Sequence, residues 1–218
     1  MTKGESTRRK IIAQAAPIFN RFGYAGCSMR DIMEATGLEK GGLYRHFASK
    51  EKLATEVFRY SLAQVVEVRR DGVEKIRGAV EQLRYLIRHF VDIHSIIPGG
   101  CPVMNTAIDA DDGNPTLRAL VQEAMRQWKA TLGRIVKEGI EQGEIETNIE
   151  PRSIANVIIS TLEGALMISR LEGTRVAMHD AQSMLEKILN DIESTSVRNE
   201  LHKPGARPQE GRRRNQKP

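Results

Sequence analysis

The sequence predicts an all-α protein. Apolar residues recur at intervals of three and four along almost the whole chain, which is the spacing of one face of a helix. Aromatic residues make up only 5 % of the 218 residues, and strand-forming residues are sparse outside these helical stretches. We expect a small N-terminal three-helix domain, joined by a long helix to a larger helical body.

The first predicted helix ends at Gly23, which follows an apolar face at helical spacing. Pro17 lies inside this helix. An interior proline costs about 3 kcal/mol and leaves a carbonyl one turn back without its donor. We therefore expect a kink there, or a helix that tolerates the proline. The apolar face consists of Ile11, Ala15, Ile18, Phe19 and Phe22.

Two short helices follow, joined by a tight turn at Gly37. Ser28 and Asp31 have the spacing of a capping box at the start of the first of them. Two short helices around a glycine-containing turn predict a helix-turn-helix motif, whose second helix enters the major groove of DNA. Packing by Leu38, Leu43 and Phe47 turns a polar set outward, and that set suits phosphates and base edges. The outward set is Lys40, Gly41, Gly42, Tyr44, Arg45 and His46.

The rest of the chain predicts a long helix and a helical bundle. Ser49 has the character of an N-cap for a helix over about 50–70. Further helices are expected over 74–95, 102–110, 115–143, 151–172 and 180–194. The predicted domains are 1–52, 53–195 and a basic tail, 196–218, that is expected to be disordered because it has almost no apolar residues.

Charge is unevenly distributed along the chain. Residues 1–52 contain 10 Lys and Arg against 5 Asp and Glu, whereas residues 53–202 contain 17 against 22. Residues 203–218 contain 6 against 1, and the net charge of the chain is +5. A basic N-terminal domain on an acidic body indicates that this domain meets a polyanion.

Several function classes are disfavoured by the sequence. No apolar run reaches the roughly 18 residues that span a bilayer, and the polar, basic N-terminus lacks a signal core, so we expect a cytoplasmic protein without membrane contact. Cys27 and Cys101 are too few for a disulfide framework. His89 and His94 are five residues apart, which does not bring two ligands to one helical face, so no metal is expected. We expect no cofactor and no catalysis.

The N-terminal motif resembles a known family. The segment from Thr7 to Leu53 contains F-x-x-x-G-Y-x-x-x-S-M-R-D-I-M-x-A-T-G-L-x-K-G-G-L-Y-R-H-F-x-S-K-E-x-L, and it resembles the DNA-binding domain of the TetR (tetracycline-repressor) family of transcriptional regulators. The segment Gly100-Cys101-Pro102-Val103-Met104-Asn105 is similar to a Gly-Cys element of part of that family.

The resemblance implies roles for individual positions. Lys40, Gly41, Gly42 and Tyr44 lie where the family's recognition helix enters the major groove, and Arg45 belongs to the same outward face. Glu39 departs from the small hydroxyl residue often found there, and it is expected to cap the helix or to accept from a cytosine amine. Expected phosphate contacts are Tyr44, His46, Lys50, Ser28, Met29 and Arg30.

The resemblance also implies a helical ligand-binding and dimerisation body. We expect a homodimer that binds a near-palindromic double-stranded operator and is released by a small-molecule effector, most simply as a repressor. The expected dimer residues, on the last two helices, are Ala155, Ile158, Ile159, Leu162, Ala165, Leu166, Met184, Leu185, Ile188 and Ile192. The candidate ligand residues are Phe90, His94, Cys101, Met104, Asn105, Met125, Trp128 and Met167.

Alternatives remain at this stage. Cys101 precedes a predicted helix, whose N-terminus lowers a thiol pKa, so a redox or electrophile sensor stands beside a buried structural thiol or a ligand contact. Trp128 and the methionines suit the core as well as a cavity wall. A constitutive DNA-binding protein without effector, and a thiol enzyme using Cys101, are the other hypotheses. The tail either touches DNA or is solvated.

Overall fold

A computed structural model describes residues 2–93 and 96–194 of the chain, and this part is helical apart from turns and a single β-bridge between Ile145 and Glu193. The predicted all-α fold is confirmed. The expected tail, 196–218, and His94 lie outside the described residues. The helices are α1 (Lys3–Gly26), α2 (Met29–Thr36), α3 (Lys40–His46), α4 (Lys50–Arg70), α5 (Ala79–Asp92), α6 (Pro102–Ala110), α7 (Pro115–Glu141), α8 (Pro151–Glu172) and α9 (Val176–Ile192).

Two boundaries differ from the sequence-based ones. The helix expected to start at 74 starts at Ala79, because Gly72 and Gly78 take positive φ angles of 80° and 86° around a short 3-10 turn. Helix α9 begins at Val176 rather than at 180. In α1, helical geometry continues through Pro17 and is interrupted at Gly23, whose φ is 73°.

The head, residues 2–49, is a small three-helix unit with its own core. Ile11 of α1, Ile32 of α2 and Leu43 of α3 are each no more than 1 % exposed and pack together. Leu53 and Val57 of α4 belong to the same cluster. Helix α4 is therefore built into the head at its N-terminal end.

The body consists of α5 to α9, with α8 packed between α7 and α9. One apolar cluster draws on α5, α7, α8 and α9, including Leu83, Val136, Leu162 and Leu185. Helix α4 crosses from the head to this body, so its two ends contact different units. Any shift of the body against α4 therefore bears on the head.

Helix α6 gives the head a second contact with the body. Asn105 donates from its side-chain amide to the Asn20 backbone carbonyl at 2.9 Å and to the Gly99 carbonyl at 2.8 Å. The Asp109 carboxylate accepts from the backbone N–H of Tyr24 at 2.5 Å, where α1 is interrupted. Two side chains of α6 thus hold the C-terminal end of α1.

Among the described helices, α8 has a length and composition that would allow it to cross a membrane, with a mean hydropathy of 1.4 over its most apolar window. In the fold it is a packed helix, and Ile154, Ala155, Ile158 and Leu162 belong to the main core. Core helices share such composition with spanning helices.

Candidate DNA-binding face and effector cavity

Helix α3 presents one polar face and buries the other. Leu43 and Phe47 are at most 1 % exposed, and they fix the rotation of the helix on the head core. Their burial turns Tyr44 outward, with 42 % of its surface exposed. Lys40, Gly41 and Arg45 are exposed on this side as well, and Gly42 and His46 are half-buried. The six residues predicted from sequence thus share one helix with a single outward face.

Helix α2 begins with the predicted capping box. Ser28 donates its backbone N–H to Asp31 at 2.7 Å, and Asp31 donates its own N–H to the Ser28 hydroxyl at 3.2 Å. These hydrogen bonds hold the pKa of the Asp31 carboxyl below its usual value, with the Ser28 backbone as the largest cause. The box fixes the start of α2, where Met29 is half-buried and Arg30 is exposed.

Lys50 lies at the first turn of α4, with its Nζ 4.3 Å from the centre of the Tyr24 ring. This is a cation–π contact. Lys50 also acts electrostatically on the carboxyl of Asp31, so its ammonium group lies near the start of α2 as well as at the start of α4. A helix N-terminus attracts anions through its free backbone N–H groups. The geometry suits a phosphate contact.

Glu39 occupies the N-cap position of α3 without a capping hydrogen bond from its side chain. One of the two roles expected for it, capping, is therefore absent. Glu39 is exposed at the start of α3. The other role expected for it, accepting a hydrogen bond from the amine of a cytosine, stays a prediction.

An apolar cavity of about 130 Å³ lies in the body, lined by residues of α4, α5, α6, α7 and α8 and partly open to solvent. Phe90 and Trp128 both line it and stack against each other, with ring centres 6.0 Å apart. Leu62 and Val65 of α4 line the same cavity. The helix that reaches the head core at its N-terminal end therefore forms a cavity wall at its other end.

Arg69 of α4 lies at this wall. Its guanidinium carbon is 3.8 Å from the centre of the Phe90 ring and 6.0 Å from that of Trp128. Sequence reasoning missed Arg69 and the other α4 residues, because the apolar positions of α4 serve both the head core and the cavity and show no separate period.

The structure brings together only part of the predicted ligand set. Phe90 and Trp128 line the cavity, whereas Cys101, Met104, Asn105, Met125 and Met167 do not. Met125 lies on a larger groove of about 380 Å³ between α6 and α7, but that groove is open and includes Arg118, Arg126 and Lys129. The cavity beside α4 is less open than this groove and is lined mainly by apolar side chains, so it covers more of an apolar ligand.

Comparison with known proteins identifies the family. The family model described as "Bacterial regulatory proteins, tetR family" matches residues 11–57, and "Tetracyclin repressor-like, C-terminal domain" matches residues 79–185. A TetR transcriptional regulator from Chloroflexus aurantiacus is 39 % identical in sequence, and the TM-score is 0.85 over 88 % of this chain and 98 % of that chain. The chain belongs to the TetR family of transcriptional regulators.

The chain is also similar to other TetR-type proteins. A TetR-family regulator from Cytophaga hutchinsonii is 35 % identical, with a TM-score of 0.82 over 88 % of this chain and 98 % of that one. The HTH-type transcriptional repressor DhaR of a Mycobacterium species is 24 % identical over 87 % of this chain and 96 % of that protein. The resemblance predicted from the helix-turn-helix motif is confirmed, and the chain is a DNA-binding transcriptional regulator.

Cys101 of this TetR-family chain is buried, with 1 % of its surface exposed. Burial, and to a smaller extent the nearby Glu163 carboxylate, raise the pKa of its thiol to about 12 against an opposing effect of Arg69. A thiol with this pKa forms little thiolate at neutral pH, which disfavours the sensor and thiol-enzyme hypotheses.

Most of the predicted dimer residues lie in the core of the single chain rather than on its surface. Leu162 and Leu185 are 2 % and 1 % exposed, and both pack in the main core. These buried side chains stabilise the single chain, and the expected dimer assignment of α8 and α9 stays a prediction that rests on their exposed residues. Also buried are Ala155, Ile158, Ile159, Ala165 and Ile192; Leu166 and Ile188 are half-buried, and Met184 is exposed.

The described residues contain no group of three or more His, Cys, Asp or Glu side chains placed to hold a metal ion. His89, one of the two histidines considered from sequence, instead lies 4.9 Å from the Tyr85 ring, centre to centre.

Proposed function

We propose that this TetR-family chain acts in the cytoplasm as a homodimeric repressor, which a small-molecule effector releases from a near-palindromic operator. The observation that carries the proposal is the course of α4. Leu53 and Val57 belong to the head core, while Val65 and Arg69 line the cavity. Helix α4 therefore connects the cavity to the head that carries the DNA-binding face.

The DNA-binding half rests on the outward face of α3. Lys40, Tyr44 and Arg45 supply two cations and a phenol on one exposed surface, and Gly41 allows close backbone approach. The phosphate contacts are Ser28, Met29 and Arg30 at the start of α2, His46 at the end of α3, and Lys50 at the start of α4. Glu39 is free to accept from the amine of a cytosine.

The dimer half rests on the exposed apolar residues of α8 and α9. Ile168 and Leu171 on α8 are 41 % and 80 % exposed, and Val176 and Met184 on α9 are 61 % and 55 % exposed. Exposed apolar side chains clustered on two adjacent helices are typical of a protein–protein interface. Pairing these faces about a two-fold axis forms a four-helix bundle and presents two α3 helices to one operator.

Effector binding can release DNA only if the effector binds more tightly to a dimer whose two heads have the wrong spacing for the operator. A ligand shifts the equilibrium between two conformations only by the difference in its affinity for them. Helices α4 and α6 both meet the cavity and both contact α1. A ligand that displaces the cavity wall therefore acts on the head at two points.

The testing experiment measures binding of the purified full chain to DNA from regions flanking its own gene, at two stated salt concentrations. We expect a dimer bound to a specific fragment, with release by an effector that also occupies the cavity. Specific binding that no cavity ligand relieves would favour the constitutive DNA-binding hypothesis instead.

A further inference from the structure

The cavity wall carries charge of one sign only. Of the side chains that line it, Arg69 and Arg70 are charged, and no carboxylate is among them. Gln127 and Thr131 are the neutral polar members, and the others are apolar. A ligand that fills this cavity therefore meets apolar surface and positive charge.

Arg69 forms no ion pair among residues 2–93 and 96–194, although its charge acts on the Glu163 carboxyl. No described ion pair or hydrogen bond involves it, although its side chain is half-buried. Arg84, on the neighbouring α5, shows the contrast, because it pairs with Glu81, Glu186 and Glu193 within 3.3 Å. A partly desolvated cation without an anion is costly, and an anionic ligand group would offset that cost.

The cation–π contact between Arg69 and Phe90 leaves the N–H groups of Arg69 available for hydrogen bonds to a ligand. The guanidinium carbon of Arg69 lies over the Phe90 ring, 3.8 Å from its centre, and no described hydrogen bond uses the N–H donors of the group. Its N–H donors lie in the guanidinium plane, in a fork that matches a carboxylate in bidentate fashion. Phe90 thus orients the group without using its hydrogen-bonding capacity.

The one buried carboxylate of the region does not fill this role. Glu163 is 8 % exposed and lies near both Cys101 and Arg69, but it forms no described ion pair with Arg69. Burial raises the pKa of Glu163, which favours its neutral form. In its neutral form Glu163 gives Arg69 no paired carboxylate, which leaves the N–H donors of Arg69 for a ligand.

The volume of the cavity limits the apolar part of the ligand. A dry apolar cavity of roughly 150 Å³ binds benzene, so the cavity of about 130 Å³ suits a single ring. Phe90 and Trp128, stacked at 6.0 Å and with planes 18° apart, present aromatic surface to such a ring.

We propose that the effector is a small aromatic carboxylate, whose ring packs against Phe90 and Trp128 and whose carboxylate binds Arg69. The proposal rests on the cavity being the effector site of the proposed function, and it adds the chemical class of the ligand. Arg69 is then the residue that selects an anionic headgroup over neutral and cationic ones.

Trp128 is the single tryptophan of the chain, so its fluorescence reports directly on the cavity. The experiment titrates the DNA-free dimer with phenylacetate, 2-phenylethanol, phenethylamine and acetate. We expect phenylacetate to bind at least about 10-fold more tightly than the alcohol, because charge-assisted hydrogen bonds are stronger than neutral ones. The amine and acetate are expected to bind more weakly still.

Arg69→Gln should reduce phenylacetate affinity to that of the alcohol, and Arg69→Lys should give an intermediate value. Arg59→Gln, an exposed position on the same helix, is the matched control and should bind as wild type. Thermal melting of each variant checks that the fold is retained. The proposal is overturned if no aromatic probe binds, if the alcohol or amine binds as well as phenylacetate, or if Arg69→Gln leaves the preference unchanged.

Operator release is measured separately, so the two proposals fail in different ways. Phenylacetate that binds but does not release DNA would contradict effector control, while the ligand class would stand. Release by a neutral or cationic cavity ligand, without phenylacetate binding, would contradict the ligand class alone.

Discussion

The side-chain amide of Asn105 donates to the backbone carbonyl of Asn20 at 2.9 Å, and this hydrogen bond ties α6 of the body to α1 of the head. Asn20 in turn donates from its own amide to the Gly100 carbonyl at 3.1 Å and to the Pro98 carbonyl at 3.2 Å. The two amides form a polar link between the DNA-binding head and the segment that leads into the cavity wall.

Asn105→Ala should destabilise the chain by roughly 1–3 kcal/mol, because it leaves carbonyl groups in a part-buried link without their donor. Urea unfolding measures this loss. Ile108→Ala, at a position on the same helix that is 73 % exposed, should change stability by less than about 0.5 kcal/mol. Equal effects of the two substitutions would show that the link contributes nothing.

Ile168→Arg and Met184→Arg should each yield folded monomers, because a charge would be buried where two copies of α8 and α9 meet. Sedimentation velocity, with circular dichroism as the check on folding, measures the outcome. Ile108→Arg makes the same change at an exposed apolar residue outside the proposed interface and should stay dimeric. Leu162→Arg should unfold the chain, since Leu162 is 2 % exposed in the core. Dimers retained by both interface variants would refute the assignment.

Glu163→Gln should stabilise the chain more at about pH 8 than at about pH 5. Burial raises the folded-state pKa of Glu163 above its unfolded value, with smaller opposing effects of Cys101 and Arg69. Stability is then highest below the unfolded pKa and falls as pH rises through the folded pKa, because ionisation of the buried carboxyl opposes folding. Glutamine has no such ionisation.

The measurement is the difference in urea midpoint between wild type and variant at the two pH values. Glu172→Gln, at an exposed position at the end of the same helix, controls for the loss of one carboxylate. A difference that stays constant with pH would mean that the carboxyl of Glu163 has an ordinary pKa.

Ala124→Phe should imitate a bound effector. Ala124 is 6 % exposed and lines the cavity, so a phenyl group there occupies ligand space. Because coupling energies are typically about 1–3 kcal/mol, we expect operator affinity to fall by about 5- to 150-fold while the dimer persists. Ala130→Phe, on the exposed side of α7, should bind operator normally. An unchanged affinity in a folded Ala124→Phe dimer would argue against coupling between cavity and head.

Local signals made the head predictable from sequence. The Ser28–Asp31 capping box and the glycine turn at Gly37, whose φ is 66°, are encoded within a few residues and fix the start and end of α2, while Leu43 and Phe47 fix which side of α3 faces outward. The cavity and the dimer face were less predictable. Helix α8 is apolar on two sides, so spacing alone does not distinguish Leu162, which faces the core, from Ile168, which faces solvent.

Arg69 shows the same limit for charged residues. On sequence it is one of two adjacent arginines at the end of a helix, where cations are common near the negative end of the dipole. Only the packing of α5 and α7 beside α4 brings Phe90 and Trp128 to it. Because the surroundings of Arg69 come from α4, α5 and α7, which are far apart in sequence, no local sequence pattern predicts them.

Selection of binding sites from a random double-stranded DNA pool tests the DNA-binding function most directly, with wild-type dimer and Tyr44→Ala compared at the same salt concentration. Tyr44 is 42 % exposed, so its loss should leave the melting temperature nearly unchanged. We predict that wild type enriches a near-palindrome with half-site centres about 34–36 Å apart, and that Tyr44→Ala enriches it weakly or not at all. No enriched sequence with wild type, or an equal enrichment with Tyr44→Ala, would contradict a DNA-binding face on α3.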